Sequence, residues 1–336
     1  MTESSELLRI RNLQVAVPVE GVPAQILRDV SLAVHAGEAV GLVGESGSGK
    51  SMTAAAIMRL LPPKSTVGGE IHFDGRSVLG FNARQLRHYR SSCVGMISQD
   101  PRATINPVRS VGDFLTEALV VNQGRRRRDA TAIVIDLLHE VGVDDAARRL
   151  RQYPHELSGG LLQRVAIAAA VAAEPTLLIA DEPTTALDVT TQAEVMRILG
   201  DLREARGLAL LFITHNLDLA AIACDRIAVM YAGSLVEDQT AQRLYTRPRH
   251  PYSAALLRSR PALGGRVHRL PAIAGRPVSA FESGPGCAFA PRCQHAQSRC
   301  ETVRPELVDR DGGRVACLRI DEVQPEPTVS CGARDA

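Results

Sequence analysis

The stretch GESGSGKS, residues 44–51, fits the pattern G-x-x-x-x-G-K-[ST] and directly follows the apolar run AVGLV. Strand, glycine loop and helix are the setting this pattern needs, and MTAAAIMRLL supplies the helix. The glycines let successive backbone N–H groups turn inward around phosphate oxygens, and the helix N-terminus adds partial positive charge. Gly44, Glu45, Ser46, Gly47, Ser48, Gly49, Lys50, Ser51 and Met52 therefore form a candidate phosphate site. Lys50 would reach the β- and γ-phosphates, and the Ser51 hydroxyl suits Mg²⁺. LLIADEP, residues 177–183, is the second chemical element. Its apolar residues carry Asp181 to the edge of a buried sheet, where a carboxylate can hold Mg²⁺ directly or through water. Glu182 beside it is the natural general base for an attacking water. A third apolar run ends in Thr214-His215, an imidazole suited to contact a γ-phosphate.

These groups need a scaffold that presents several strand ends together. EAVGLVG (38–44), LLIADE (177–182) and LALLFITH (208–215) read as fully buried strands, because their apolar residues run together rather than alternate. Each is followed by loop residues and then helical periodicity, the rhythm of an α/β protein with a parallel sheet. LLRIRNLQVAV (7–17) and GGEIHFDGRSV (68–78) alternate, as half-exposed antiparallel strands do. VGDFLTEALVV, DATAIVIDLLHEVGV and LLQRVAIAAAVAA make the stretch from about 100 to 175 helical. From about 240 the composition shifts to Pro, Arg and Gly, a linker into a small C-terminal module.

Apolar residues make up 45% of the 336, while aromatics are only 3% with no Trp, so the core must be aliphatic. The net charge of +2 gives no reason to expect a nucleic-acid partner, and RRRR at 125–128 reads as a solvated loop between helices. The N-terminal residues lack the features of a signal peptide, and the longest apolar run, VAIAAAVAA, is too short to span a bilayer. A soluble chain in a reducing compartment is the expectation.

That expectation bears on the cysteines. Cys287, Cys293, Cys300 and Cys317 are spaced C-x5-C-x6-C-x16-C. In a reducing compartment such thiols bind metal more often than each other. Structural zinc prefers a tighter pair, and [4Fe–4S] sites accept wider spacing; uncoordinated buried thiols are the third reading. Cys93, in SCVGMIS, and Cys224 read as small core residues, and Cys331 is expected in a flexible, disordered tail.

With Gln99 in SQDP, LSGG at 157–160 and TALD at 185–188 added, the chain resembles the ATP-binding-cassette (ABC) ATPases over roughly residues 7–240. The resemblance implies an α/β, P-loop (RecA-like) nucleotide-binding domain at 1–240, with an antiparallel β subdomain and an α-helical subdomain. It implies that Gln99 touches Mg²⁺ and the attacking water. Ser158, Gly159 and Gly160 would bind the γ-phosphate of ATP held by a partner subunit, and Asp188 would bridge to the partner's phosphate loop. The working unit would be a head-to-tail dimer sandwiching two ATPs. Two departures stand out. Leu161 replaces a common Gln, and no aromatic precedes the phosphate loop to stack on adenine, so Val15 or Val17 would pack there at a loss of about 1 kcal/mol.

SQDPRATINPVRSVGDFLTEAL, YPHELSGG, ADEPTTALDVTTQAEV and RPRHPYSAALLRSRP resemble, within that family, the ATPase subunits of bacterial oligopeptide/dipeptide importers. That group also handles nickel, glutathione and opine-like solutes. The resemblance implies a C-terminal extension at 241–336 marked by His250-Pro251-Tyr252, and a [4Fe–4S] cluster on Cys287, Cys293, Cys300 and Cys317, with Zn²⁺ as the alternative. It further implies a second ATPase subunit (a paralogue), two transmembrane permease subunits and an extracytoplasmic substrate-binding protein, with the chain peripheral on the cytoplasmic face of the inner membrane. A soluble ABC ATPase not linked to transport is the competing reading.

Overall fold

The computed structural model describes residues 6–185, 187–259 and 273–323, so Ala186 of TALD, the end of RPRHPYSAALLRSRP and Cys331 lie outside the described residues. The chain divides into two compact units. One holds residues up to Arg9, Ala33–Ala39 and His72–Ile213; the other holds Ile10–Leu32, Val40–Ile71 and the chain from Thr214.

In the first unit, strands Val94–Ile97, Leu177–Asp181 and Ala209–Thr214 pair in parallel, with Val94 opposite Leu177 and Leu177 opposite Ala209. All five residues of Leu177–Asp181 are buried, which is why the segment is an unbroken apolar run with its carboxylate last. The helical stretch appears where the periodicity placed it, as Val111–Glu117, Arg127–Glu140 and Gly159–Val171. The last of these crosses Val94–Ile97 so closely that a Cβ on Gly95 would lie 2.2 Å from the Ala170 carbonyl oxygen. RRRR is only half a loop. A helix begins at Arg127, Arg126 donates to the Asp129 carboxylate at 2.8 Å, and Arg127 pairs with Asp113. The helix start favours Asp129 in its first turn, and the two arginines pair with that carboxylate and with Asp113.

In the second unit, Ala39–Val43 pairs in parallel with Arg226–Tyr231, which pairs antiparallel with Ser234–Thr240. Gly313–Val315 then adds to Ser234–Thr240, and Val308–Arg310 adds to Gly313–Val315, both antiparallel. The C-terminal residues thus complete a sheet edge. Strand Ser234–Thr240 escapes sequence reading because it buries Glu237, Asp238 and Gln239. Buried carboxylates need partners, and neighbours supply them. Arg226 Nη1 donates to both Asp238 oxygens at 2.7 and 2.8 Å, Arg314 joins it, and the Arg249 and His250 N–H groups donate to Glu237 at 2.7 and 2.9 Å.

A four-stranded sheet runs in the order Val22–His35, Glu6–Val19, Thr66–Phe73, Arg76–Ser77, the last two antiparallel. Among the described residues no helix is long and apolar enough to cross a membrane.

Candidate functional site

The phosphate loop belongs to the second unit. Gly44 ends strand Ala39–Val43 in a space with no room for a side chain, since a Cβ there would lie 2.2 Å from the Met230 carbonyl oxygen. Gly47 and Gly49 take φ of 79° and 106°, a left-handed region that favours glycine, and Gly49 starts helix Lys50–Ile57 without a side-chain cap. The Gly233 N–H donates to the Ser48 carbonyl at 2.8 Å, fixing the loop from below. Lys50 is 5% exposed, and its Nζ donates to the Gly44 and Glu45 carbonyls at 2.8 and 3.0 Å. Ser46 and Ser51 are exposed, and Met52 is half-buried. The Ser48 hydroxyl is buried without a hydrogen-bond partner. An orphaned buried hydroxyl costs about 1–3 kcal/mol, and a phosphate oxygen accepting from it would remove that cost. Cradle, cation and orphaned donor together fit a nucleotide's phosphates.

His215 is exposed beyond Thr214. The next residue, Asn216, accepts from the Asp218 and Leu219 N–H groups at 2.9 and 3.3 Å, so the chain turns sharply into helix Leu217–Ala223 behind the imidazole. Val15 is fully buried and cannot face a ligand, which leaves half-buried Val17 of the two valines expected near adenine.

The first unit carries the carboxylates. Asp181 is 7% exposed. Glu182 follows with φ 48°, an unusual value for a side-chain-bearing residue, and its N–H donates to the Ile213 carbonyl at 2.8 Å. That turn is where functional sites keep backbone strain. Glu182 Oε2 accepts from Thr185 Oγ1 at 2.7 Å and from Gln99 Nε2 at 3.4 Å. Gln99 and Glu182 are thus brought together, and Thr185 is a partner that sequence reading passed over although TALD contains it.

LSGG forms an exposed helix start. Ser158 caps Gly159–Val171 by accepting from the Leu161 N–H at 3.3 Å, and Ser158 and Gly159 face solvent. A Cβ on Gly160 would lie 3.1 Å from the Thr191 methyl. Thr191 also donates to Asp188 through its N–H at 3.0 Å and its hydroxyl at 2.8 Å, which holds that carboxyl below its ordinary pKa. Asp188 caps helix Val189–Arg206, so Thr191 links the two features. Leu161 is half-buried. Gln163 does not replace the amide missing there; it is 2% exposed, pointing inward.

The C-terminal residues pack beside the phosphate loop within the second unit. His250 is fully buried; burial pushes it down to about 3, so its ring is neutral. Its Nδ1 accepts from the Tyr252 N–H at 3.1 Å, capping helix Pro251–Arg258. Tyr252 Oη in turn accepts from the Glu45 N–H at 3.0 Å. Arg292 grips the Glu45 carboxylate with both terminal nitrogens, at 2.7 and 3.2 Å.

Cys287, Cys293, Cys300 and Cys317 line one small cavity with Phe289, Ala290 and Val323. The Cys287 N–H donates to the Cys300 carbonyl at 2.8 Å, and burial pushes the Cys287 thiol up to about 11 and those of Cys293 and Cys317 upward. All four are free thiols. The expected cluster site is not preassembled: among the described residues no group of three or more His, Cys, Asp or Glu is arranged to hold a metal ion. Burial keeps these thiols protonated and neutral, so a metal that binds them must first displace their protons. Cys224 is buried as expected, whereas Cys93 is half-buried and ends the turn Tyr89–Cys93 ahead of its strand.

Known proteins share this architecture. The ABC transporter family profile matches residues 27–185, and that of the oligopeptide/dipeptide transporter C-terminal region matches residues 236–300. A probable peptide ABC transporter ATP-binding protein of Sinorhizobium fredii is 44% identical over 321 residues, covering 94% of this chain and 96% of its own length. The oligopeptide transport ATP-binding protein OppD of Salmonella typhimurium is 40% identical over 313 residues, with 93% of each chain covered. Among solved structures, a dimeric bacterial ABC transporter cassette superimposes with TM-score 0.62 at 26% identity, over 70% of this chain and 98% of that one.

Proposed function

Because the chain belongs to the ABC transporter family and is the ATPase subunit of an oligopeptide/dipeptide importer, we propose that it acts as one half of a head-to-tail nucleotide-binding dimer. Its partners are a second ATPase subunit of paralogous sequence, two transmembrane permeases and an extracytoplasmic substrate-binding protein, with the chain on the cytoplasmic face of the inner membrane. Residues 1–240 are the ATPase domain and 241–336 the extension.

The observation that carries the ATPase reading is the phosphate loop itself, with Lys50 buried against its carbonyls and the Ser48 hydroxyl orphaned. Gly44 to Met52 hold the β- and γ-phosphates, and Lys50 exchanges its carbonyl partners for phosphate oxygens. Mg²⁺ would be held by Ser51, Gln99 and Asp181 and would neutralise charge on the phosphates. Glu182, fixed by Thr185 and Gln99, takes a proton from the attacking water as the β–γ bridge breaks and ADP leaves. His215 contacts the γ-phosphate. The exposed Ser158 and Gly159, with half-buried Gly160, meet the partner's nucleotide at a helix start suited to anions, and Asp188 reaches the partner's loop.

Cys287, Cys293, Cys300 and Cys317 would hold a [4Fe–4S] cluster, with Zn²⁺ as the alternative; four thiols on one apolar-walled cavity support the set. Bound there, the metal would supply a cross-link that holds the extension folded. Anaerobically purified protein is expected to contain iron and acid-labile sulfide, both lost in Cys293→Ser; equimolar zinc without iron would sink the cluster.

The complex reconstituted in vesicles with its permeases and binding protein is expected to accumulate labelled oligopeptides or dipeptides when supplied with ATP. Uptake of Ni²⁺, glutathione or an opine instead would reassign the solute. Uptake by the chain without permeases would end the reading.

A further inference from the structure

Glu45 is the second residue of the phosphate loop, and every polar group it owns is held. Its carbonyl accepts from Lys50 Nζ at 3.0 Å and from the Ser48 N–H at 3.2 Å, both inside the loop. Its N–H and carboxylate are held from far along the chain, by Tyr252 Oη and by the Arg292 guanidinium. This is no casual surface pair. The Arg292 side chain is only 3% exposed. Its Nε donates to the Ala274 carbonyl at 3.0 Å, and its Nη1 also donates to Tyr231 Oη at 3.3 Å. The guanidinium carbon lies 5.8 Å from the Tyr231 ring centre and 6.0 Å from that of Phe289. Tyr252 is fully buried and packs on Tyr231 with ring centres 4.6 Å apart.

A carboxylate inside a loop that must accept a polyanion works against its own purpose. Like charges close together in a partly desolvated site repel strongly, so Glu45 needs a compensating cation fixed before nucleotide arrives. Arg292 is that cation, and its planar fork matches a carboxylate bidentately as a lysine would not. Tyr252 fixes the direction of the Glu45 peptide, where the chain leaves the strand and enters the loop.

We propose that Arg292 and Tyr252 are positioning residues for nucleotide binding. Arg292 neutralises and orients Glu45, Tyr252 anchors its peptide, and the C-terminal segment thereby sets the nucleotide affinity of the phosphate loop. The proposal rests on the ATPase reading above. It gives the C-terminal segment work at the nucleotide site in addition to completing the sheet edge, and it ties the thiol-lined cavity, whose lining includes the next residue, Cys293, to that site.

A purely structural role for Arg292, stapling one segment to another, makes a different prediction from a charge-compensating one. Mg-ADP binding to the full-length chain, measured by calorimetry alongside melting temperature, separates them. Arg292→Met leaves the Glu45 charge unpaired and is expected to weaken Mg-ADP by about tenfold or more. Adding Glu45→Gln removes the offending charge, so the double variant should recover most of that affinity even though its melting temperature stays low. Glu45→Gln alone, with Arg292 now uncompensated beside the loop, should bind more tightly than wild type and lose affinity faster as salt is raised. Tyr252→Phe keeps the ring but loses the acceptor and should weaken binding without altering salt dependence. Unchanged affinity in Arg292→Met, or a double variant as weak as the single, overturns the proposal. Should Arg292→Met fail to fold, Glu45→Gln decides: weaker binding there overturns the proposal and tighter binding supports it. A wild-type chain that binds no nucleotide overturns the ATPase reading and this inference with it.

Discussion

Glu182→Gln is expected to lower ATP turnover by about 10²–10⁴-fold, the usual worth of a positioned general base, while leaving nucleotide binding in place. The amide has the shape of the carboxylate and can still meet Thr185 Oγ1 and Gln99, which stand 2.7 and 3.4 Å from Glu182 Oε2. What it loses is the ability to take a proton from water. The residue is already held in one conformation by its turn, with φ at 48° and its N–H on the Ile213 carbonyl, so the substitution changes chemistry and little else. Phosphate release should fall, and a long-lived ATP-bound dimer should appear in size-exclusion chromatography with Mg-ATP. Undiminished turnover would remove Glu182 from the role of base and leave Gln99 or His215 to position the water.

Thr185→Ala is a smaller perturbation of the same carboxylate. It deletes one hydrogen bond of 2.7 Å and keeps the base. We expect a drop in turnover of about tenfold, in line with losing one hydrogen bond to a charged group, without the trapped dimer. Trapping by Thr185→Ala would mean that orientation, rather than basicity, limits the step.

Why some of this was readable from the chain and some was not follows from how far apart the interacting groups lie. The phosphate loop is contiguous, and its chemistry is that of its own backbone, so GESGSGKS declares itself. The strands ending in Asp181 and Thr214 are buried on both faces and therefore written as apolar runs. Ser234–Thr240 is just as buried, yet EDQ at its centre reads as a polar loop. Its burial depends on Arg226, Arg314 and two backbone N–H groups from 249 and 250, and no local period encodes that. The pairing of Glu45 with Arg292 spans 247 positions and leaves no trace in either neighbourhood. The cysteines are an intermediate case. Their shared cavity could be expected from clustering in sequence, but whether a metal organises them is a property of the thiols and the cation together.

Gly44→Ala is expected to abolish measurable ATP binding and to destabilise the chain. The reason is space, because Gly44 does not have the positive φ of Gly47 and Gly49. A Cβ at Gly44 would lie 2.2 Å from the Met230 carbonyl oxygen and 2.7 Å from Ser48 Oγ. Met230 sits in a core strand with no exposed surface, opposite Leu235 on one side and next to Val229, which is opposite Val43 on the other, so it has little room to retreat. The loop must move instead, and with it the two carbonyls that hold Lys50. Overpacking of a tight interior typically costs about 1–3 kcal/mol, and the displaced loop loses its aim at the phosphates as well. The same substitution elsewhere is an internal control. Gly200, exposed in the middle of helix Val189–Arg206, has nothing within 4 Å of its Cβ position, so Gly200→Ala should stabilise the chain by up to about 1 kcal/mol through helix propensity. Measured side by side, the two alanines should shift the melting temperature in opposite directions, and only Gly44→Ala should lose nucleotide. Retained ATP binding in Gly44→Ala would mean that the loop and the Met230 strand can separate, and the close fit between them would no longer explain why glycine stands there.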